Sequence, residues 1–335
     1  MHMACGFVTA AVALAVTSGA SAQTVSEFKT LKIVVGFSTG GGYDTYARVL
    51  ARHMGRHLPG TPGIIVQNMP GAASLKAIQY LDNGAPTDGS VITAFNPGTI
   101  TEFLVNPDKQ RFRFTEVAWI GSITRDLRAC YAWAATGIRT FDDLKTYKQF
   151  NMGAPTRGTS SYINSAVLKN MFGIAVRHVM GYAGSAEQRL AIERRELDGD
   201  CGAWSSVPPE WIAAGKVNPL ISFSPEPIPG LPAHVPFAGE LATTPEARDV
   251  LGILMTTDVL GRPFIASRQI PAARLAALRK AFDATMKDAQ FLAEAEKLAL
   301  PVEGPVSGLD AEKIIASFYA ASPALIARTQ AIVGK

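Results

Sequence analysis

Apolar residues in this chain switch repeatedly between short unbroken runs and a spacing of three or four, and each switch predicts a change of element. The run Ile33–Phe37 reads as a buried strand. Over Asp44–His57 the apolar positions Ala47, Leu50, Ala51, Met54 and Leu58 then mark one face of a helix. Strand Ile64–Gln67, helix Ala72–Leu81 and strand Val91–Ala94 follow, punctuated by the turns Asn68-Met-Pro-Gly71 and Pro86-Thr-Asp-Gly89. This β-α-β-α-β order is that of a doubly wound parallel sheet, where ligands sit at the carboxyl ends of strands. A second unit begins near Arg128. It reads as strand Cys130–Trp133, helix Phe141–Tyr147, strand Phe150–Ala154, helix Ser160–Phe172, strand Arg177–Val179, helix Ser185–Arg194 and strand Gly199–Ala203. A proline-rich connector, Pro225–Pro232, leads into a mainly helical remainder: Pro245–Met255, Pro271–Met286, Ala289–Leu298, Leu309–Ala320 and a last helix opened by Pro323. Neither heptads nor fixed-period repeats are present.

The amino terminus departs from this alternation. An apolar run, Gly6–Val16, leads to Ala20-Ser-Ala22, a small-x-small cleavage pattern before Gln23, so residues 1–22 read as an export signal, although the preceding residues lack Lys and Arg. The run is too short for a spanning helix of about 20 residues. Cys5 precedes it, the wrong side for a lipid-attachment site. Export to the periplasm leaves Cys130 and Cys201 as a disulfide candidate in an oxidising compartment, with two buried free thiols as the alternative. The length, 335 residues, fits one large or two medium domains. Its net charge of +4 is mild, and no basic block is present to track nucleic acid.

The most informative chemistry lies at the first strand–helix junction, Ile33-Val-Val-Gly-Phe-Ser-Thr-Gly-Gly-Gly-Tyr-Asp44. Glycines bring backbone amides close to a ligand, and the first amides of the following helix lack intrahelical acceptors. Such a junction holds anions. P-loop register and G-x-G-x-x-G spacing are both absent, which disfavours nucleotide phosphate and leaves a carboxylate as the leading candidate. Asn151-Met-Gly-Ala-Pro-Thr-Arg-Gly-Thr-Ser-Ser161 repeats the arrangement in the second unit, with Thr159 or Ser160 as cap. Two such helix starts facing one another describe a hinged binding protein. Asp44 either caps its helix or receives a ligand donor. His53 and His57 lie one turn apart but lack the H-E-x-x-H glutamate, so they read as a surface face and no metal is expected. No G-x-S-x-G elbow or nucleophile–base–acid set stands out, and no cofactor motif is present, so an enzyme is not expected.

These segments, with Ile65-Val-Gln-Asn-Met-Pro-Gly-Ala-Ala73, Ala85–Ser90, His178–Ser185 and Ile270-Pro-Ala-Ala-Arg274, resemble the extracytoplasmic receptors of tripartite tricarboxylate transporters (the Bug receptors), in order and across the mature chain. The resemblance implies an α/β, periplasmic binding protein-like (Venus flytrap) fold: two doubly wound α/β lobes joined by hinge strands. Lobe 1 is then 23–128 plus 226–335, and lobe 2 is 129–225. It implies capture of a small mono- or dicarboxylate and delivery to membrane permease subunits by a monomeric receptor. A sensing role beside a membrane signalling protein, or an exported enzyme on the same scaffold, are the alternatives. Carried across, the ligand site comprises Ser38, Thr39, Gly40, Gly41, Gly42 and Asp44 in the first loop. The second loop supplies Thr156, Gly158, Thr159, Ser160 and Ser161, and the end of the third strand Asn96, Pro97, Gly98 and Thr99. Tyr182, Trp204 and Ser205 would form the remaining wall. Tyr43, Tyr162 and Arg157 depart from the family pattern; Arg157 either pairs a second carboxylate or points into solvent.

Overall fold

In the computed structural model, which describes residues 1–2, 27–107 and 112–334, the expected alternation is present with a few additions. The export segment, beyond its first two residues, and Cys5 lie outside the described residues. The first run is β1 (Thr30–Val35), α1 (Gly42–Met54), β2 (Gly63–Asn68), α2 (Leu75–Asn83), β3 (Val91–Ala94), α3 (Gly98–Val105) and β4 (Ala118–Ser122). The second is β5 (Arg128–Trp133), α4 (Phe141–Thr146), β6 (Phe150–Ala154), α5 (Ser160–Asn170), β7 (Val176–Met180), α6 (Ser185–Glu193), β8 (Gly199–Ala203), α7 (Pro209–Ala213) and β9 (Val217–Ser222). The chain closes with α8 (Ala238–Leu241), α9 (Pro245–Thr256), β10 (Pro263–Ala266), α10 (Ala272–Thr285), α11 (Ala289–Lys297), β11 (Val306–Ser307), α12 (Gly308–Tyr319) and α13 (Pro323–Val333).

Two sheets result, of order β11-β4-β10-β3-β1-β2 and β7-β6-β8-β5-β9. In the first, β1 pairs in parallel with β2 and β3, and Ile33, Val34 and Val35 are buried on both faces, as β-branched central strands require. Each sheet nevertheless has a strand that runs against both of its neighbours, β10 between β3 and β4 and β5 between β8 and β9, and the short edge strand β11 is antiparallel to β4 as well. The sheets are therefore mixed rather than wholly parallel. The reversals at β5 and β10 occur where the chain passes between lobes. Residues 123–127 join β4 to β5, and the segment before β10 runs alongside them, with Asp126 N–H donating to Asp258 O (2.7 Å) and Gly261 N–H to Thr124 O (3.0 Å).

Packing follows the apolar stripes. Tyr46, Ala47, Leu50 and Met54 of α1 pack with α10 and α11 on one face of the first sheet. His53 is buried, edge-on to Phe291 with ring centres 5.9 Å apart, and bonds to Glu294; His57 bonds to Asp288 at 2.8 Å. The two histidines thus clamp α1 to α11, and no group of three or more metal-binding side chains occurs among the described residues. A second apolar cluster runs through both lobes, from Phe95, Phe114 and Trp119 to Phe150 and Val167. Across β5 and β8, Cys130 stands opposite Cys201 with Cα atoms 4.0 Å apart, and the two form a disulfide. The last helix, α13, reaches the second lobe, where Asn170 Nδ2 donates to Ile332 O at 2.6 Å. Among the described residues no helix is long and apolar enough to cross a membrane.

Candidate functional site

The β1–α1 junction is held open by its own side chains. Gly40 adopts φ 81°, left-handed backbone that favours glycine, and Gly41 is the extended residue preceding α1. Asp44 does not cap the amides of α1, the first of the roles expected of it; its Oδ2 accepts from Gly40 N–H, just before the helix, at 2.9 Å, and its carboxylate is further bonded by Arg48 and by Asn68 Nδ2. Burial pushes this carboxyl upward, but the bonds from Arg48, the Gly40 amide and Asn68 outweigh it and hold it below the usual range. The first amides of α1, on Gly42 and Tyr43, have no acceptor one turn back and stand at a cavity of about 60 Å³ between the lobes.

Three more helices begin nearby. Gly98 opens α3, Ser160 opens α5 and Ser185 opens α6. Asn96 links two of them: its Oδ1 accepts from Gly98 N–H (2.8 Å), Ser160 N–H (3.1 Å) and Ser160 Oγ (2.9 Å), while its Nδ2 donates to Tyr43 Oη (2.9 Å). Thr159, Ser161 and Ser185 line the same cavity as Gly41 and Gly42. The two helix starts singled out in the sequence therefore share one hollow. Aligned peptide dipoles make such a meeting of N-termini favourable to negative charge.

The remaining wall is ionic. Arg128 bonds to Asp126 and, through Nε, to Asp258 at 2.8 Å; Arg262 lies 3.1 Å from Asp126. Arg262 also covers the rings of Tyr43 and Tyr46, at 4.7 and 5.0 Å from their centres. Arg128, Arg262 and Asp126 are buried, so each charge depends on its partners. Asp200 enters from β8. Its Oδ1 accepts from Cys201 N–H at 2.8 Å and from Gln188 Nε2 at 3.4 Å. Burial pushes the Asp200 carboxyl up to about 6, against the pull of the Cys201 amide and the charges of Arg128 and Arg189.

The lobes touch directly across this cavity. Ser38 Oγ donates to Glu187 (2.9 Å), Ser38 N–H to Ala183 O (3.3 Å), and Arg189 to Gly40 O (3.1 Å). On the outer side, Pro70–Ala73, Thr156 and Tyr182 surround a wider cavity of about 360 Å³, and Phe37 and Pro155 border both spaces. Ala72, Ala73 and Ser74 there have φ of 46°, 55° and 75°. Left-handed residues other than glycine are strained, by about 1–3 kcal/mol each, and persist only where surroundings fix them. Here Thr99 Oγ1 donates to Ala73 O (2.8 Å) and Asn96 N–H to Ser74 Oγ (3.2 Å).

The structure sorts the residues nominated from the sequence. Gly41, Gly42, Asn96, Thr159 and Ser161 line the inner cavity. Ser38, Gly40, Ser160 and Gly98 bridge the lobes or pack beside it, as the contacts above show. Pro97 is the residue before α3, and Thr39 Oγ1 donates to Asn68 at 3.2 Å. Gly158 packs against Glu102 and Ala73. Arg157 points away, its Nη1 donating to Gly334 O at 3.1 Å. Trp204 and Ser205 line a different cavity, of about 200 Å³, with Ile228, Pro229 and Pro301. Sequence reasoning did not nominate Asp126, Arg128, Ser185, Gln188, Asp200, Ser206 or Arg262, which also line the inner cavity. One signal was available: Asp200 and Arg262 are charges set in or beside short strands whose other residues are small or apolar.

Neither a family model nor a curated protein matches the sequence. Solved structures do. The periplasmic binding protein BugD superimposes with a TM-score of 0.71 at 20% identity, covering 89% of this chain and 95% of that one. MatC from Rhodopseudomonas palustris, solved with bound malate, gives 0.71 at 18% identity over 89% and 98% of the two chains. A further R. palustris protein, solved with adipate, gives 0.68 at 19% identity over 87% and 94%. At these identities the likeness establishes architecture: this chain has the two-lobed α/β fold of periplasmic solute-binding proteins.

Proposed function

We propose that the protein is an extracytoplasmic solute receptor that captures a small organic carboxylate between its lobes and delivers it to a tripartite tricarboxylate-type membrane transporter. In this reading the division follows the sheets, with residues 23–128 and 226–335 forming lobe 1 and 129–225 lobe 2, and the signal is removed on export to the periplasm. One observation carries the proposal: Gly42 and Tyr43 of lobe 1, which begin α1 without a side-chain cap, line the same cavity as Thr159 and Ser161 of lobe 2. A carboxylate there exchanges its water shell for preorganised donors from both sides. Because it contacts both lobes, it favours the closed arrangement over an open one. The malate and adipate held by the two R. palustris proteins support a carboxylate as the class.

Calorimetry against a panel of mono- and dicarboxylates of two to six carbons tests this. The expected result is one ligand per chain, recovered chemically unchanged. Conversion of the ligand, or failure of every acid to bind, overturns the reading.

A further inference from the structure

Trp204 stands outside the cleft, in the wall of the cavity of about 200 Å³. That cavity gathers Leu127 from the segment joining β4 to β5, Val207 after β8, Ile228 and Pro229 from the proline-rich connector, and Pro301 after α11. Junctions between domains lined mainly by apolar side chains are where small-molecule sites form. An apolar cavity of roughly 150 Å³ already holds a benzene-sized guest. The polar groups at the rim are engaged elsewhere. Thr124 Oγ1 donates to Glu303 O (3.3 Å) and accepts from Glu303 N–H (3.1 Å), and Arg125 pairs with Glu226 at 2.6 Å. The charged side chains at the cavity, Arg125 and Glu303, are both exposed, so no buried charge there calls for an ion.

One donor is unused. Trp119 and Trp211 are buried and give their indole N–H to Phe114 O (2.9 Å) and Glu193 (3.2 Å), as buried tryptophans ordinarily do. Trp204 is buried too, at 5% exposure, yet its N–H donates to none of the described residues. Its ring is fixed edge-on against Tyr131, with centres 6.4 Å apart. The N–H keeps accessible surface, and the adjoining turn has no side chain to cover it: a Cβ on Gly230 would stand 3.8 Å from Nε1. We propose that this cavity is a second ligand site, for a neutral molecule the size of a substituted benzene ring, whose single acceptor oxygen receives the Trp204 N–H. Leu127, Val207, Ile228 and the two prolines take its apolar body out of water. Trp204 sets its orientation and selects for the acceptor. Trp204 does not line the inner cavity, so the site stands independently of the carboxylate reading.

Acetophenone and ethylbenzene, alike in shape but with and without a carbonyl, test this on the full mature protein. A proton–nitrogen correlation spectrum gives one indole N–H signal for each of the four tryptophans, and Trp204→Phe assigns the Trp204 signal by its loss. Acetophenone is expected to shift that signal saturably, with a dissociation constant below about 1 mM. Calorimetry should find ethylbenzene weaker by about fivefold, the worth of one neutral hydrogen bond. In Trp204→Phe a ring still fills the wall but no N–H remains, so the two probes should bind alike. The three indole signals left in that variant report that it is folded. A Trp204 signal that does not move with acetophenone, equal affinities in the parent, or a preference that survives Trp204→Phe overturns the proposal.

Discussion

The first and second loops are written alike, each a strand, a glycine-containing turn and a helix start, yet they are used differently. At Ser38–Asp44 no side chain caps α1, since Asp44 bonds back to Gly40 N–H before the helix, so the α1 amides on Gly42 and Tyr43 have no side-chain acceptor. At Thr156–Ser161 the first amide of α5 is already taken by Asn96 from the other lobe. One junction is an open donor site; the other is a docking point between lobes that contributes Thr159 and Ser161 as wall. A helix N-terminus thus guarantees donors, but only tertiary contacts decide whether they are free for a ligand.

Adding a side chain to each loop is the sharpest way to separate these roles. A Cβ at Gly42 would stand 2.7 Å from Ser206 Oγ and 3.3 Å from Arg262, filling the space a carboxylate needs. Gly42→Val is expected to weaken carboxylate binding at least about 100-fold, or about 2.7 kcal/mol. At Gly158, which does not line the inner cavity, a Cβ meets Ala73 at an ordinary 3.7 Å and the Glu102 side chain at a tight 3.3 Å, which a shift of a few tenths of an ångström by that side chain relieves. Gly158→Ala should stay within about threefold of the parent, or about 0.7 kcal/mol. Equal losses in calorimetry would erase the distinction between the loops. The next effect falls on Asn96. Its removal in Asn96→Ala strands the buried Gly98 and Ser160 amides, and urea unfolding should report a loss of about 1–3 kcal/mol. Asn96→Asp keeps an acceptor and should recover part of it; no loss in either variant would mean that the lobes do not rest on this side chain.

The sequence shows the difference between the loops only in part. The alternating pattern locates β1, α1, β6 and α5 within a few residues, because unbroken apolar strands and amphipathic helices leave a strong periodic trace. It does not reveal β10, whose four residues follow Arg262, nor α3, whose eight residues hold only a single turn of helical spacing at Ile100, Phe103 and Leu104. These two elements bring Arg262 and the Asn96 turn to the cavity. Asp258 is equally hidden, since it pairs with Arg128 across 130 residues of sequence, and the Asp126–Arg128 pair that it joins is placed by the crossing between lobes. Local spacing records local structure; the ionic half of the site comes from topology.

A smaller effect tests how the open loop is kept open. Asp44 carries a depressed carboxyl in the folded protein, so its contribution to stability is complete above the unfolded value of about 3.9 and is lost as the pH falls through the folded value. Asp44→Asn is expected to lower stability by about 0.3–1 kcal/mol at pH 7, the range for a first-turn acid. The gap between variant and parent should close in acid. A gap that persists at pH 2 would assign the loss to packing rather than charge.

The smallest expected effect is at Arg157, and it bears directly on the second loop. As a cation beside a helix start, this side chain is well suited to a second ligand carboxylate. In the structure it turns instead to Gly334 at the end of the chain, bonding to a backbone oxygen near the surface. Exposed contacts of this kind change stability by no more than about 0.5 kcal/mol. Arg157→Ala should therefore leave both the unfolding midpoint and the affinity for succinate close to those of the parent. A tenfold loss for succinate, with propionate unaffected, would show that Arg157 swings inward when a dicarboxylate arrives. The second loop would then hold ligand charge through a side chain, where the first does so through its backbone.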